Sequence, residues 1–513
     1  MKTNQLKWGS ILSYLQMAMN IVIGLVYTPV MIRLLGQSEY GLYQTAASVI
    51  SMLGILNLGF NAGYIRYFAK YKLNDDKNSI YKLNGLFLII FSVIGIVALL
   101  CGLVICENIK LVFDTGLTSN EYVIAKKLLI ISVINLAVSF PMSVFSTIIS
   151  ACEKFIFLKV IGMIKTVVSP LVSLPLLLMG YRSVALVTVS LILSLITDFI
   201  YVYYVLNKLK FKFIFHDFEK GLFKSLFAYT AFIALNLIID QINWNIDKLL
   251  LARFKGTTAV AIYSVGSNLY NFYMLFSTSI SGVFTPRVHK IVNQTRENLA
   301  EQRKQLTDLF VKIGRIQYLL LALIASGVVF FGKQFILNIW VGKGYDDSYY
   351  VALLLIIPAS IALTQNVGIE IQRAENKHQF RSIVYTIMAL VNLVLSIILC
   401  QKYGAIGSAI GTAISLILAN GIIMNIYYQK KCNIMVTEFW KNIMKMSAGL
   451  IAPIIVGVLL NKFVNLNNIV LFFVSIVIYS VVYVASMWLI AMNKYEKELV
   501  IKPIKTVLRK VKK

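Results

Sequence analysis

Apolar runs of at least about 20 residues, broken by short polar clusters, recur along the whole chain. That is the length an α-helix needs to cross roughly 30 Å of hydrocarbon. In lipid such runs have to be helical, because nothing around them satisfies free backbone N–H and C=O groups. The pattern predicts spans near 8–35, 42–68, 83–106, 122–150, 156–179, 183–207 and 222–251. It continues with 257–285, 313–340, 349–371, 382–400, 404–429, 440–461 and 466–492. The expected fold class is an all-α polytopic membrane protein of about 14 transmembrane helices. The connections are short, the longest lying near 207–221 and 286–312. They leave no soluble domain to house catalysis, so the chain is expected to act inside the bilayer and not as an enzyme.

Composition agrees, with 58% hydrophobic and 14% charged residues in 513 positions. A soluble domain carries roughly a quarter charged residues. The net charge of +27 would suit a nucleic-acid partner if the cations shared one face. Instead they sit in clusters between the apolar runs, the layout of the positive-inside rule. With the N-terminus inside, 36 of the 49 Lys and Arg fall in predicted cytoplasmic segments, 12 at the outer side and Lys165 within a span. The orientation expected is therefore a multi-pass chain of the bacterial plasma (inner) membrane with both termini cytoplasmic and a basic tail. No nucleic acid is expected as a partner; membrane lipids are. The first apolar stretch follows Lys2 and Lys7 but lacks a small-residue cleavage site, so it reads as a retained span.

Several chemistries drop out. Cys101, Cys106, Cys152, Cys400 and Cys432 show no CxxC spacing. His216, His289 and His378 all lie in predicted cytoplasmic loops, so neither a metal site nor a cofactor is expected. No Gly-x-x-x-x-Gly-Lys-Ser/Thr loop is present for the chain to hydrolyse ATP itself.

An internal repeat is legible. Arg33-Leu34-Leu35-Gly36 with Tyr43 aligns with Arg253-Phe254-Lys255-Gly256 with Tyr263 at an offset of 220. Glu153 aligns with Glu375, Lys159 with Arg381 and Tyr181 with Tyr403 at 222. The expected organisation is an N-terminal lobe over 1–210, a C-terminal lobe over 211–430, and two extra spans with the tail over 431–513. Such repeats are common in secondary transporters, with the site at the lobe interface.

The seventh span carries the most unusual chemistry. Asn236, Asp240, Asn243 and Asp247 follow at spacings of 4, 3 and 4, which puts them on one helical face. Carboxylates in a membrane usually face a wet cavity or a partner. Asp240 and Asp247 are therefore candidates to couple a proton or sodium ion, as is Asp198 in the sixth span. The duller reading neutralises Asp247 locally with Lys248 or Arg253. Further cavity candidates are Asn57, Asn61, Arg66, Lys165, Asn236, Asn243, Lys248, Arg287 and Glu370, with Asp247 counted here too. Lys165 and Asp198 also read as a structural ion pair, and Arg66, Arg287, Lys290 and Arg315 as anchors at the inner leaflet. Gly59-x-x-x-Gly63 and Gly407-x-x-x-Gly411 read as helix packing.

Thr28-Pro29 with Arg33-Leu34-Leu35-Gly36-Gln37-Ser38-Glu39-Tyr40-Gly41 resembles the end of the first span in Wzx-type polysaccharide and O-antigen exporters. Leu56-Asn57-Leu58-Gly59-Phe60 resembles their second span. Asp247-Lys248-Leu249 with Gly256-Thr257-Thr258 resembles their seventh-to-eighth connection. These exporters belong to the multidrug/oligosaccharidyl-lipid/polysaccharide superfamily. The resemblance implies two six-helix lobes in a V, as in MATE transporters, with spans thirteen and fourteen added. It further implies an ion-driven flippase for an undecaprenyl-diphosphate-linked oligosaccharide, working alongside the glycan polymerase machinery. Where that family often carries Asp, this chain has Asn57. The rival expectations are a multidrug or cation antiporter of the same superfamily and a lipid II flippase.

Overall fold

The computed structural model describes residues 2–113, 117–219, 221–499 and 501–502; the basic tail from 503 onward lies outside them. Every regular element among the described residues is a helix. Among the described residues, twelve helical stretches are long and apolar enough to cross a membrane.

The two spans expected over 382–400 and 404–429 are separate helices that follow each other without a loop in the stretch His378–Lys431. They fold back on one another, Ser396 donating to the Ser408 carbonyl at 3.4 Å and Thr412 to Asn392 at 3.3 Å. The chain turns at Gly404, where φ is 56° and ψ −133°, between the two predicted spans. The eighth predicted span is α9 (Thr257–Val283), long enough to cross at about 40 Å but not among the twelve. Its Ser264, Ser267, Asn268 and Asn271 make it the more polar helix.

The chain divides into two compact units. The first comprises Met1–Ser264 with Leu393–Ser408. It contains α1 (Lys2–Leu35), α2 (Gln37–Leu53), α3 (Phe60–Leu73), α4 (Lys77–Glu107) and α5 (Ser119–Ala151). α6 (Phe155–Leu178), α7 (Arg182–Tyr203) and α8 (Leu222–Lys255) complete it, and α9 begins in it. α4 packs on α5, α1 on α6, α5 on α7, and α8 on α2 and α3. The core of α3 and α4 is aromatic: Tyr64 meets Phe87 edge to face at 5.1 Å. The second predicted span is broken. α2 ends at Leu53, a 3-10 turn covers Gly54–Asn57, Leu58 and Gly59 are left-handed, and α3 starts at Phe60. Gly59 and Gly63 face Ile233, Leu226 and Thr230 of α8, so this glycine pair does bring two helices close.

The segment after α7 is a strap and not a free linker. Ile214 donates its N–H to the Tyr81 carbonyl at 3.0 Å, and Asn84 donates to the Lys212 carbonyl at 3.0 Å. Tyr71 donates to Glu219 at 2.6 Å. Gly85 permits this approach, since a Cβ there would stand 2.0 Å from the Ile214 carbonyl oxygen.

The second unit comprises Val265–Asn392 with Ala409–Lys513. It holds the rest of α9, then α10 (Thr285–Gln294), α11 (Leu299–Gln334), α12 (Asp346–Thr364) and α13 (Val367–Ala374). Most of α14 (His378–Leu416) follows, with α15 (Met424–Lys431), α16 (Val436–Ser447), α17 (Ile451–Phe463) and α18 (Ile469–Ser486). Phe310, Phe439 and Tyr428 form one core, and Phe331, Phe472 and Tyr479 another. Arg315 is buried and binds Glu496 with two nitrogens, at 2.6 and 2.9 Å, rather than facing the inner leaflet.

The repeat offset seen in the sequence recurs in the backbone. Gly36 (φ 78°, ψ 169°) and Gly256 (φ 81°, ψ −177°), 220 apart, separate consecutive helices in the same conformation. That region is essentially closed to residues with a Cβ. Asp76 and Asn298, 222 apart, each cap a helix through a side-chain oxygen, accepting from the Ser79 and Glu301 N–H groups. Left-handed Glu153 and Asn376 stand 223 apart, as do Lys210 and Asn433.

Candidate functional site

The polar chemistry of the first unit gathers on α8. This helix is continuous, so the spacing of Asn236, Asp240, Asn243 and Asp247 does place them on one face. Asn236 and Asp240 are exposed, Asn243 is half-buried and Asp247 is buried. Asp247 accepts from the Tyr263 hydroxyl at 2.6 Å and from Ser408 at 2.8 Å. Hydrogen bonds to an ionised oxygen are among the stronger ones. The local neutralisation of Asp247 by the next residue is not seen. Among the described residues, the ammonium of Lys248 has no carboxylate within 4 Å; it reaches the Gln44 amide oxygen at 3.5 Å.

A second polar face runs beside the first. Gln241, Asn245 and Lys248 follow at spacings of 4 and 3, and they meet α2. Ser51 donates to the Gln241 oxygen at 2.9 Å, and Asn245 donates to the same oxygen at 2.5 Å. Gln44 donates in turn to the Tyr40 hydroxyl at 2.7 Å. Lys248 therefore stands at the end of a row of neutral amides and hydroxyls. A half-buried cation so placed is costly without an anion. Sequence reasoning singled out Lys248 but missed Gln44, Ser51, Gln241 and Asn245. The spacing of 241, 245 and 248 was the available signal for two of them.

The other candidates are scattered. Arg66 is exposed and lies over the Tyr229 ring at 4.4 Å, a cation–π contact between α3 and α8. Asn61 accepts from Thr147 at 3.1 Å. Asn57 ends the 3-10 turn that breaks the second span. Lys165 donates to Ser194 at 2.9 Å, and no ion pair within 4 Å joins it to Asp198, one turn further along α7. Arg287 and Glu370 belong to the second unit. Arg287 is exposed on α10, and Glu370 accepts from Arg373 at 2.7 Å. Glu39, not foreseen, is a buried carboxylate in the first turn of α2. It accepts from the Ser183 N–H at 2.8 Å, the Ser183 hydroxyl at 2.5 Å and Arg182 at 3.1 Å.

The second unit contributes an apolar groove of 270 Å³ between α9, α11 and α18. Leu269, Leu323, Phe331, Phe472, Ile476 and Tyr479 line it. Nothing in that lining is charged, so it suits a hydrocarbon chain.

Comparison with known proteins gives four matches. The family model for "Polysaccharide biosynthesis protein" matches residues 6–292. A Shigella flexneri protein described as "Putative O-antigen transporter" is 22% identical over 412 residues, covering 78% of this chain and 92% of that protein. Among solved structures, lipid II flippase MurJ in an inward closed conformation superposes with a TM-score of 0.68 at 17% identity, covering 93% of this chain and 97% of that one. An inward-facing MATE multidrug resistance transporter of the MOP superfamily gives 0.65 at 12% identity, covering 84% and 99%.

Proposed function

Since the chain belongs to the polysaccharide biosynthesis protein family, we propose that it is a flippase for an undecaprenyl-diphosphate-linked oligosaccharide. It carries that lipid from the cytoplasmic to the outer leaflet of a bacterial plasma membrane, for assembly of a surface polysaccharide. Both termini lie in the cytoplasm, as the distribution of Lys and Arg favours. The lobes are 1–210 and 211–430, with 431–513 added, and alternate access between them is driven by a proton or sodium gradient. Asp240 is the coupling group, and the released lipid passes to the glycan polymerase machinery.

The observation that carries this reading is Lys248, a half-buried cation near the C-terminal end of α8 that no carboxylate approaches within 4 Å among the described residues. A diphosphate supplies the missing charge, and the amides beside it replace part of the headgroup's hydration. The apolar groove of the second unit supplies a place for the polyprenyl chain.

The test is the lipid-linked oligosaccharide content, by leaflet, of cells depleted of the protein. Intact intermediate trapped on the cytoplasmic leaflet with surface glycan lost is the expected result. Normal surface glycan with no trapped intermediate would favour an antiporter instead. A block in wall synthesis would point to lipid II.

A further inference from the structure

A second cavity, of 250 Å³, lies wholly within the first unit, between α2, α5 and α7. Three helix faces converge on it. Tyr43, Ala47 and Ile50 follow at spacings of 4 and 3 on α2, and Ser132, Asn135 and Ser139 at 3 and 4 on α5; Ser190 closes the far side from α7. Ser132 stands about 20 Å along α5, a helix about 50 Å long, so the cavity is inside the membrane-spanning part.

Two properties of this lining select its occupant. First, it is polar and unsatisfied. The Tyr43, Ser132 and Ser190 hydroxyls and the Asn135 amide have no hydrogen-bond partner among the described residues, although all four border the cavity. Ser139 is the exception, donating to the Asn135 carbonyl at 2.7 Å. Polar groups at this depth require partners, which lipid cannot give. Second, the lining is neutral: it contains no Asp, Glu, Lys or Arg. A metal cation or a phosphate would find no countercharge there. The volume holds about eight waters at roughly 30 Å³ each, or a single sugar ring in their place.

We infer that this cavity binds one neutral sugar ring of the glycan being carried, apart from the cation at Lys248; the assignment rests on the flippase reading. The Asn135 amide offers a donor and an acceptor side by side, which matches a pair of neighbouring sugar hydroxyls. Tyr43 adds a flat apolar wall with a hydroxyl at its edge, suited to a ring with one apolar face. A site built from such groups discriminates by hydroxyl position, because a sugar that misplaces one leaves a half-buried lining group unpaired. The cavity is therefore a determinant of which glycan is carried.

The experiment is equilibrium binding, to the purified full chain, of oligosaccharide cut from the cells' own surface polysaccharide. That probe contains neither lipid nor diphosphate, so its binding does not depend on transport. Wild type binds it, Asn135→Leu weakens binding about tenfold or more through the lost amide contacts, and Ser190→Ala weakens it less. Ser146→Ala, on the same helix but away from the cavity, with its hydroxyl on the Ser143 carbonyl, binds like wild type. Thermal unfolding of each variant separates lost folding from lost binding. Equal binding by wild type and a folded Asn135→Leu, or none by either, overturns the inference and leaves the cavity to water. Failure of the flippase reading registers separately, as normal surface glycan in depleted cells.

Discussion

Glu496 offers a stringent test of the packing of the second unit. Its carboxylate receives the Arg315 guanidinium at 2.6 and 2.9 Å, and the two residues are 2% and 7% exposed. Arg315 also donates to the Ala491 carbonyl at 2.9 Å. Glu496 further accepts from the Asn493 N–H at 2.9 Å, so the same carboxylate closes the turn that begins at Asn493. Glu496→Ala strands a buried guanidinium. Breaking a buried pair from one side costs about 3–5 kcal/mol, whereas an exposed pair is worth about 1 kcal/mol or less. The larger figure corresponds to roughly two to three and a half powers of ten in the local opening equilibrium. Hydrogen exchange by mass spectrometry over 487–499, in detergent, reads that equilibrium directly. Acceleration of that order is expected, centred on the turn at Asn493. Arg315→Met combined with Glu496→Leu should recover most of the protection, because no charge is then left buried. Exchange altered by less than the worth of an exposed pair would refute the reasoning.

Three other outcomes follow from particular contacts. Gly85→Ala drives a Cβ to within 2.0 Å of the Ile214 carbonyl, which is backbone and cannot swing aside. The strap over 209–219 should detach, read as protease sensitivity there; protection equal to wild type would contradict the packing. Lys248→Ala should slow transport about tenfold or more, the worth of a charge-assisted contact, while Lys248→Arg retains part of the rate. An unchanged rate for Lys248→Ala would remove the diphosphate contact. The buried Cys432 thiol, outside the spans, is pushed up from 9.0 to about 12, chiefly by burial and then by Glu375. It should resist maleimide at pH 8 in the native chain and react once unfolded. Because the folded thiol holds its proton more tightly, its contribution is complete below pH 9 and is lost as the pH climbs toward 12. Labelling of native Cys432 at pH 8 would count against its burial.

The sequence pattern revealed the helical membrane class because hydrocarbon allows so few alternatives. Gly36 and Gly256 were legible as a pair, and the structure gives the reason: both need a backbone conformation closed to other residues. Periodicity could not show the break at Gly54–Gly59, since Leu56, Leu58 and Phe60 continue the apolar run. Nor could it show the strap, whose hydrogen bonds join residues far apart in sequence. The face of α8 bearing Asp240 was visible from spacing alone. The partners of Asp247 were not, because Ser408 is 161 residues away. Glu39 and Arg315 share one lesson. A lone charge at a span edge has no readable partner until the fold supplies it, here Ser183 and Glu496.

Movement of the lipid across a bilayer by the purified protein tests the central claim most directly. Lipid-linked oligosaccharide from depleted cells would be reconstituted in vesicles with the protein. Its exposure would be followed with an impermeant glycan-cleaving enzyme under imposed proton and sodium gradients. Transport by this chain predicts that the protected pool becomes cleavable faster than in protein-free vesicles, and more slowly with Lys248→Ala. Exposure no faster than in protein-free vesicles under every gradient would contradict it.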